Sequence, residues 1–188
     1  MTNKPKIGIV LGSVREVRLG EQIAEWVLEH ARARGDAHYS IIDVKSFDLP
    51  LFTSPVPPAM ANKQYDDPRV QAWSEAIDSQ DGFVFVTSEY DHGIPGAFKN
   101  ATDHLFSEFQ NKTVGFVGYS GDGAIRAVEQ WRTVLGGWSM HTVSPAVQLM
   151  LYVDASADMS TFTPADLRDG ELAATLDAVV ASINARKA

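Results

Sequence analysis

Cysteine is absent from the 188 residues. That excludes disulfides, thiolate-held zinc, iron–sulfur ligation and a thiol nucleophile, and it suits a reducing cytoplasm. Long apolar runs are missing too: nothing approaches the roughly 20 residues that a membrane-spanning helix needs, so no membrane partner is expected. The opening Met1-Thr2-Asn3-Lys4-Pro5-Lys6 leads directly into a short strand-like segment, without the apolar stretch of a secretory leader. Positive charge is scarce: 16 Lys and Arg stand against 24 Asp and Glu, a net charge of -8. This opposes general nucleic-acid binding, which needs clustered Lys and Arg against phosphate. It does not oppose a small anion, since a local pair of arginines acts inside an acidic protein. The histidines at 30, 38, 92, 104 and 141 are scattered without a helical His-Glu-x-x-His pair, so no metal is expected.

What is present is an ordinary globular composition, 45% hydrophobic and 21% charged, at a length that fits one domain over residues 1–188. Ile7 to Leu11 reads as a short buried strand ended by Gly12. Between Gln22 and Arg34, Ile23, Trp26, Val27 and Ala31 recur at helical spacing, and Gly35 offers a stop. Tyr39 to Val44 is a second strand, and the proline-containing stretch from Phe47 to Pro68 is a long excursion. Val70, Trp73 and Ile77 mark a helix; Gly82 to Thr87 is the clearest buried strand. Pro95 opens a helix carrying Phe98, Ala101, Thr102 and Leu105, followed by a strand from Thr113 to Tyr119 and a helix from Ala124 to Leu135. A fifth strand is expected in two pieces, Met140 to Val143 and Ala146 to Val153, broken by Pro145; Pro164 opens a final helix to about Asn184. The four tryptophans fall mostly in helical patterns, as core or subunit contacts. Phe98, Leu105, Phe106 and Phe109 exceed one helix stripe, which suits either a subunit interface or ordinary core packing.

This alternation implies an α/β fold: a doubly wound, five-stranded parallel sheet with helices on both faces. Such sheets bind ligands beyond the carboxyl ends of their strands, where strand order reverses. The loop after the first strand, Gly12-Ser13-Val14-Arg15-Glu16-Val17-Arg18-Leu19-Gly20, puts a hydroxyl, backbone N–H groups and two arginines just before a helix. That combination suits an anion, although arginines in a loop also serve as solvated surface charge. The Gly-Lys-Ser/Thr ending of a P-loop is missing, and Gly8 and Gly12 lack dinucleotide spacing. After the third strand, Ser88-Glu89-Tyr90-Asp91-His92-Gly93-Ile94-Pro95-Gly96 offers backbone groups for the polar edge of a flat heterocycle and a ring face from Tyr90, or else a simple helix-capping turn. After the fourth, Tyr119-Ser120-Gly121-Asp122-Gly123 permits close backbone approach. Gly118-Tyr119-Ser120-Gly121 also raises a nucleophile elbow with His141 downstream, but position 122 is Asp where that motif closes on Gly.

Taken together, Gly12-Ser13-x-Arg15 and Glu89-Tyr90-Asp91-x-x-x-Pro95-Gly96-x-x-Lys99-Asn100-Ala101 resemble the NADPH-dependent FMN reductases, a group that includes quinone, chromate and azo-dye reductases. The resemblance runs from about Lys6 to Leu135 and implies a flavodoxin-like sheet in the order 2-1-3-4-5. It implies that Ser13, Arg15, Arg18 and the backbone near Gly20 and Glu21 hold the FMN phosphate. Glu89, Tyr90, Asp91 and His92 would line the isoalloxazine, with Ser120, Gly121, Asp122 and Gly123 against the same ring. Ser88 stands where proline is usual, Asp91 where asparagine is usual and Gly93 where serine is common; Arg18 and Gly20 replace the serine and asparagine of many members. An ionised Asp91 would lower the flavin potential. The expected reaction passes hydride from NADPH or NADH to FMN and then to a small acceptor such as a quinone or free flavin, with no side chain assigned a catalytic role. Resembling reductases form dimers or tetramers. A flavodoxin-type electron carrier, or a supplier of reduced flavin to a monooxygenase, is the alternative.

Overall fold

A computed structural model describes residues 4–187. Five parallel strands form one sheet in the order β2-β1-β3-β4-β5. They are β1 (Lys6–Leu11), β2 (His38–Asp43), β3 (Gly82–Ser88), β4 (Thr113–Ser120) and β5 (His141–Met150). The helices are α1 (Gly20–Arg34), α2 (Pro68–Asp78), α3 (Gly96–Asp103), α4 (Ile125–Gly136), the short α5 (Leu151–Asp154) and α6 (Leu167–Lys187). Gly35 closes α1 at φ +65°, the left-handed stop its position in the sequence predicts.

The pleat sorts the core into two layers. Ile7, Ile9 and Leu11 of β1 and Val84 and Val86 of β3 pack against α1 and α6 on one face. On the other, Val10, Phe83, Phe85 and Phe116 meet Trp73 and Ile77 of α2, Phe98 of α3, and Val128 and Trp131 of α4. Apolar side chains on both faces of β1, β3 and β4 are the signature of a doubly covered parallel sheet. Strand order reverses between β1 and β3, so the crevice at their carboxyl ends is where this fold presents a ligand site.

Four sequence expectations change. β5 is one strand, because Pro145 is absorbed at a register shift opposite Val114 to Phe116. The carbonyls of Val143 and Ser144 there accept from the Arg132 guanidinium at 2.6 and 3.0 Å. Leu151 to Val153, expected as the end of that strand, fall in α5, and the last helix starts at Leu167, three residues after Pro164. Finally, α3 ends at Asp103, short of Leu105, and Phe98, Leu105 and Phe109 are buried in the core cluster that includes Trp131, so core packing accounts for these three, while Phe106 is half-buried.

Candidate functional site

The first loop leaves β1 at Gly12, whose N–H donates to Val86 O at 3.1 Å and so continues the pairing with β3. Ser13 is buried, whereas Val14 to Val17 are exposed. The loop feeds α1, whose first turn has no side-chain cap, leaving its leading N–H groups without a side-chain acceptor. A Cβ on Gly20 would stand 2.6 Å from the Tyr119 hydroxyl and 2.8 Å from Leu11 Cδ1, so a side chain there would have to displace these two side-chain ends.

The two arginines of this loop have different fates. Arg15 is exposed and forms no ion pair among the described residues. Arg18 turns inward, 8% exposed, and donates to the Ser13 carbonyl, to both carboxylate oxygens of Asp43, and to Glu21 at 2.8 and 3.0 Å. Burial works against its charge, but the bonds to Asp43 and Glu21 outweigh that and raise the guanidinium above its usual range. Asp43, at the carboxyl end of β2, escaped the sequence reading.

In the second loop Tyr90 and Gly93 exchange both backbone hydrogen bonds, at 3.1 and 2.9 Å. The two residues between them, Asp91 and His92, both adopt positive φ, +49° and +63°, as a tight two-residue reversal requires. Asp91, His92 and the Tyr90 ring are exposed, and the Tyr90 and Ser13 hydroxyls lie 3.3 Å apart, joining the first two loops. Gln130 of α4 pins the reversal, donating to His92 O at 3.0 Å and accepting from Ile94 N at 3.2 Å. No local pattern marked Gln130.

Glu89 directs its carboxylate into the first turn of α4, as the next loop explains. Asn100, also in the second motif, bridges the 50–52 segment: it donates to Pro50 O at 2.8 Å and accepts from Phe52 N at 2.9 Å. Lys99 pairs with Asp103 one turn along α3.

The third loop turns on Ser120, whose Oγ accepts from Asp122 N at 3.1 Å and Ala124 N at 2.8 Å. This places Ser120 as a turn cap. β4 and β5 pair Thr113 with His141 but Ser120 with Met150, so His141 lies at the opposite end of the sheet and the nucleophile-elbow reading fails. Gly121 and Asp122 are exposed, with the exposed Tyr152 ring beside Gly121; Gly123 is buried at φ +71°. Ala124 has no cap of its own, and Glu89 supplies one from the second loop, accepting from Arg126 N and Ala127 N.

Beneath the crevice the hydroxyls of Ser13, Tyr119 and Ser88 gather. Burial raises the Tyr119 phenol. Ser88, paired with Tyr119 in the sheet register, is 5% exposed, and its Oγ has no hydrogen-bond partner of good geometry among the described residues. A buried hydroxyl left open costs free energy unless something else bonds it. That orphan, an uncapped helix start and the free Arg15 together fit a phosphorylated, polar-edged ligand such as FMN. A cavity of about 730 Å³ lies elsewhere, under the 50–67 segment with His104 in its wall, and no residue of the three loops lines it. The described residues hold no cluster suited to a metal ion, and no described helix is long and apolar enough to cross a membrane.

A five-stranded parallel sheet in the order 2-1-3-4-5, with an anion-suited loop at its β1/β3 switch point, defines a flavodoxin-like domain. A solved flavoenzyme NAD(P)H:acceptor oxidoreductase, FerB from Paracoccus denitrificans, shares this fold with a TM-score of 0.76 over 96% of this chain and 98% of its own, at 21% identity. The profile of the NADPH-dependent FMN reductase family matches residues 5–152. The chain belongs to that family, one of flavin-dependent oxidoreductases. Among curated relatives, an NAD(P)H-dependent FMN reductase from a Nectria species is 39% identical over 129 residues, covering 66% of this chain and 64% of the relative. The chain thus spans just under two thirds of that relative. One from Schizosaccharomyces pombe is 36% identical over 143 residues, covering 76% of this chain and 71% of the relative.

Proposed function

We propose that the protein is an NAD(P)H-dependent FMN reductase acting on a small acceptor such as a quinone or free flavin. The observation that carries this reading is the convergence of the three loops at the β1/β3 crevice, with the buried Ser88 hydroxyl left open beneath them. The chemistry FMN supplies when bound is acceptance of hydride from a nicotinamide and delivery of electrons to a second substrate. The chain's part is to bind and orient. Arg15 and the uncapped N–H groups of α1 would hold the phosphate. Ser13 and the backbone at Gly20 and Glu21 shape that pocket, and the reversal at Tyr90, Asp91 and His92 would meet the ring's polar edge. Residues 120–123 would close its other side, placed there by Glu89 through α4. No side chain is assigned proton transfer at a reacting atom.

The lack of cysteine favours the cytoplasm, and the exposed apolar residues Leu51, Val56 and Met60 favour a homodimer or homotetramer. We read the whole chain as one domain. The test is a visible spectrum of the purified protein supplied with FMN, followed by anaerobic NADPH titration. Bound flavin that bleaches rapidly supports a reductase. Bound flavin that stays oxidised indicates an electron carrier, and a protein that holds no FMN overturns the reading.

A further inference from the structure

We propose that Arg18 is a positioning residue that fixes the course of the phosphate loop, and not a ligand of the phosphate. This rests on the flavin reading above. Five donors make up an arginine fork, and here Nε, Nη1 and Nη2 are all engaged within the protein. Asp43 takes the Nη face of the fork with both carboxylate oxygens, Nη1 to Oδ1 at 3.0 Å. Glu21 takes the other face, accepting from Nε at 3.0 Å and Nη2 at 2.8 Å. Nη1 also holds the Ser13 carbonyl. The side chain therefore ties the start of the loop at Ser13 to the end of β2 and the first turn of α1. It joins the loop and the helix that follows it to a strand end 25 positions on. Its charge faces two carboxylates, so little of it is left for an incoming anion. Arg15, on the exposed arc of the same loop, carries no such partners among the described residues.

The two roles make opposite predictions for Asp43→Asn, a near-isosteric change that keeps Oδ1 as the acceptor for Lys45 N at 3.0 Å. A phosphate-gripping Arg18 is released when the carboxylate is neutralised, so FMN binds equally well or more tightly. An Arg18 that holds the loop loses its anchor, so binding weakens. Dissociation constants for FMN and for riboflavin, which lacks the phosphate, are measured by flavin fluorescence on wild type, Asp43→Asn, Arg18→Gln and the double variant, with thermal midpoints alongside. The expected result is that each single variant weakens FMN about tenfold and the double variant no further, since both changes break one linkage. Arg18→Lys keeps the charge without the fork and does not rescue affinity. Unchanged or tighter FMN binding by Asp43→Asn overturns the proposal, as does rescue by Arg18→Lys. A lowered midpoint with unchanged affinities also overturns it, because the loop is then placed without Arg18. A wild type that binds neither flavin defeats the underlying reading itself, an outcome distinct from these.

Discussion

The Glu89 carboxylate, on the loop after β3, accepts hydrogen bonds from Arg126 N and Ala127 N at 3.0 and 3.1 Å and pairs with the Arg126 side chain at 3.1 Å. One side chain thus caps α4 and fixes the distance between the second and third loops. Its own side chain is 5% exposed, so water does not replace these bonds.

Replacing this cap should loosen both loops together. Glu89→Ala is expected to cost about 1–2 kcal/mol of stability, as for loss of a helix N-cap, measured by urea unfolding. Backbone hydrogen exchange should rise at both Arg126 and the 90–94 reversal. Protection lost at α4 alone would show that the two loops are not coupled through Glu89.

Arg15 provides a test of charge. Arg15→Ala should weaken FMN about tenfold while leaving riboflavin affinity unchanged, because only the phosphate is lost between the two ligands. Equal binding of FMN by the variant and the wild type would remove Arg15 from the site.

Backbone strain can be read at the reversal. Asp91 and His92 hold φ of +49° and +63° with side chains present. His92→Gly should raise stability by about 0.5–1 kcal/mol, and Asp91→Val, β-branched in a left-handed position, should lower it by more than about 1 kcal/mol. Thermal midpoints moving in the same direction for both variants would contradict this.

Lys112 predicts a pH dependence. Burial pushes its ammonium down to about 8, although it donates to the carbonyls of Ile77 and Asp78 at the end of α2. Its folded pKa lies below the unfolded value, so between about 8 and about 10.4 the unfolded chain holds more protons at this residue. Stability from this group therefore rises with pH across that window and is flat below it. The difference in urea midpoint between wild type and Lys112→Met should shift in favour of wild type from pH 8 to pH 10.4. A difference that stays constant over that range would refute the assignment.

The order of elements was legible because buried parallel strands leave apolar runs such as Phe83 to Val86 and amphipathic helices leave periodic marks such as Ile23 to Ala31, whereas the strand order was implied by the resemblance to the FMN reductases. Pro145 misled for a physical reason: the sequence shows a missing donor but not that the residue lies at a register shift in an edge strand. At the site, the loops themselves were visible and their internal bonds were not. Glu89 meets its partners 37 and 38 positions away, and Gln130 meets His92 38 positions away. Arg18 could be recognised as a loop cation, but its turn toward Asp43, 25 positions on, depends on β1 and β2 lying side by side. Asn100 belonged to a recognisable motif whose work, holding Pro50 and Phe52, lies outside the motif.

The irregularity in β5 has a further consequence for how the molecule behaves in a crowded solution. An outermost strand ordinarily offers a row of open donors and acceptors on which another chain can grow as an additional strand. At this margin Pro145 has no N–H to give, the register shift bends the strand, and Arg132 already occupies the carbonyls of Val143 and Ser144. The sheet ends there in a stretch poorly suited to template further pairing, so replacing Pro145 by an ordinary strand residue, and Arg132 of α4 by alanine, would open that margin to self-association.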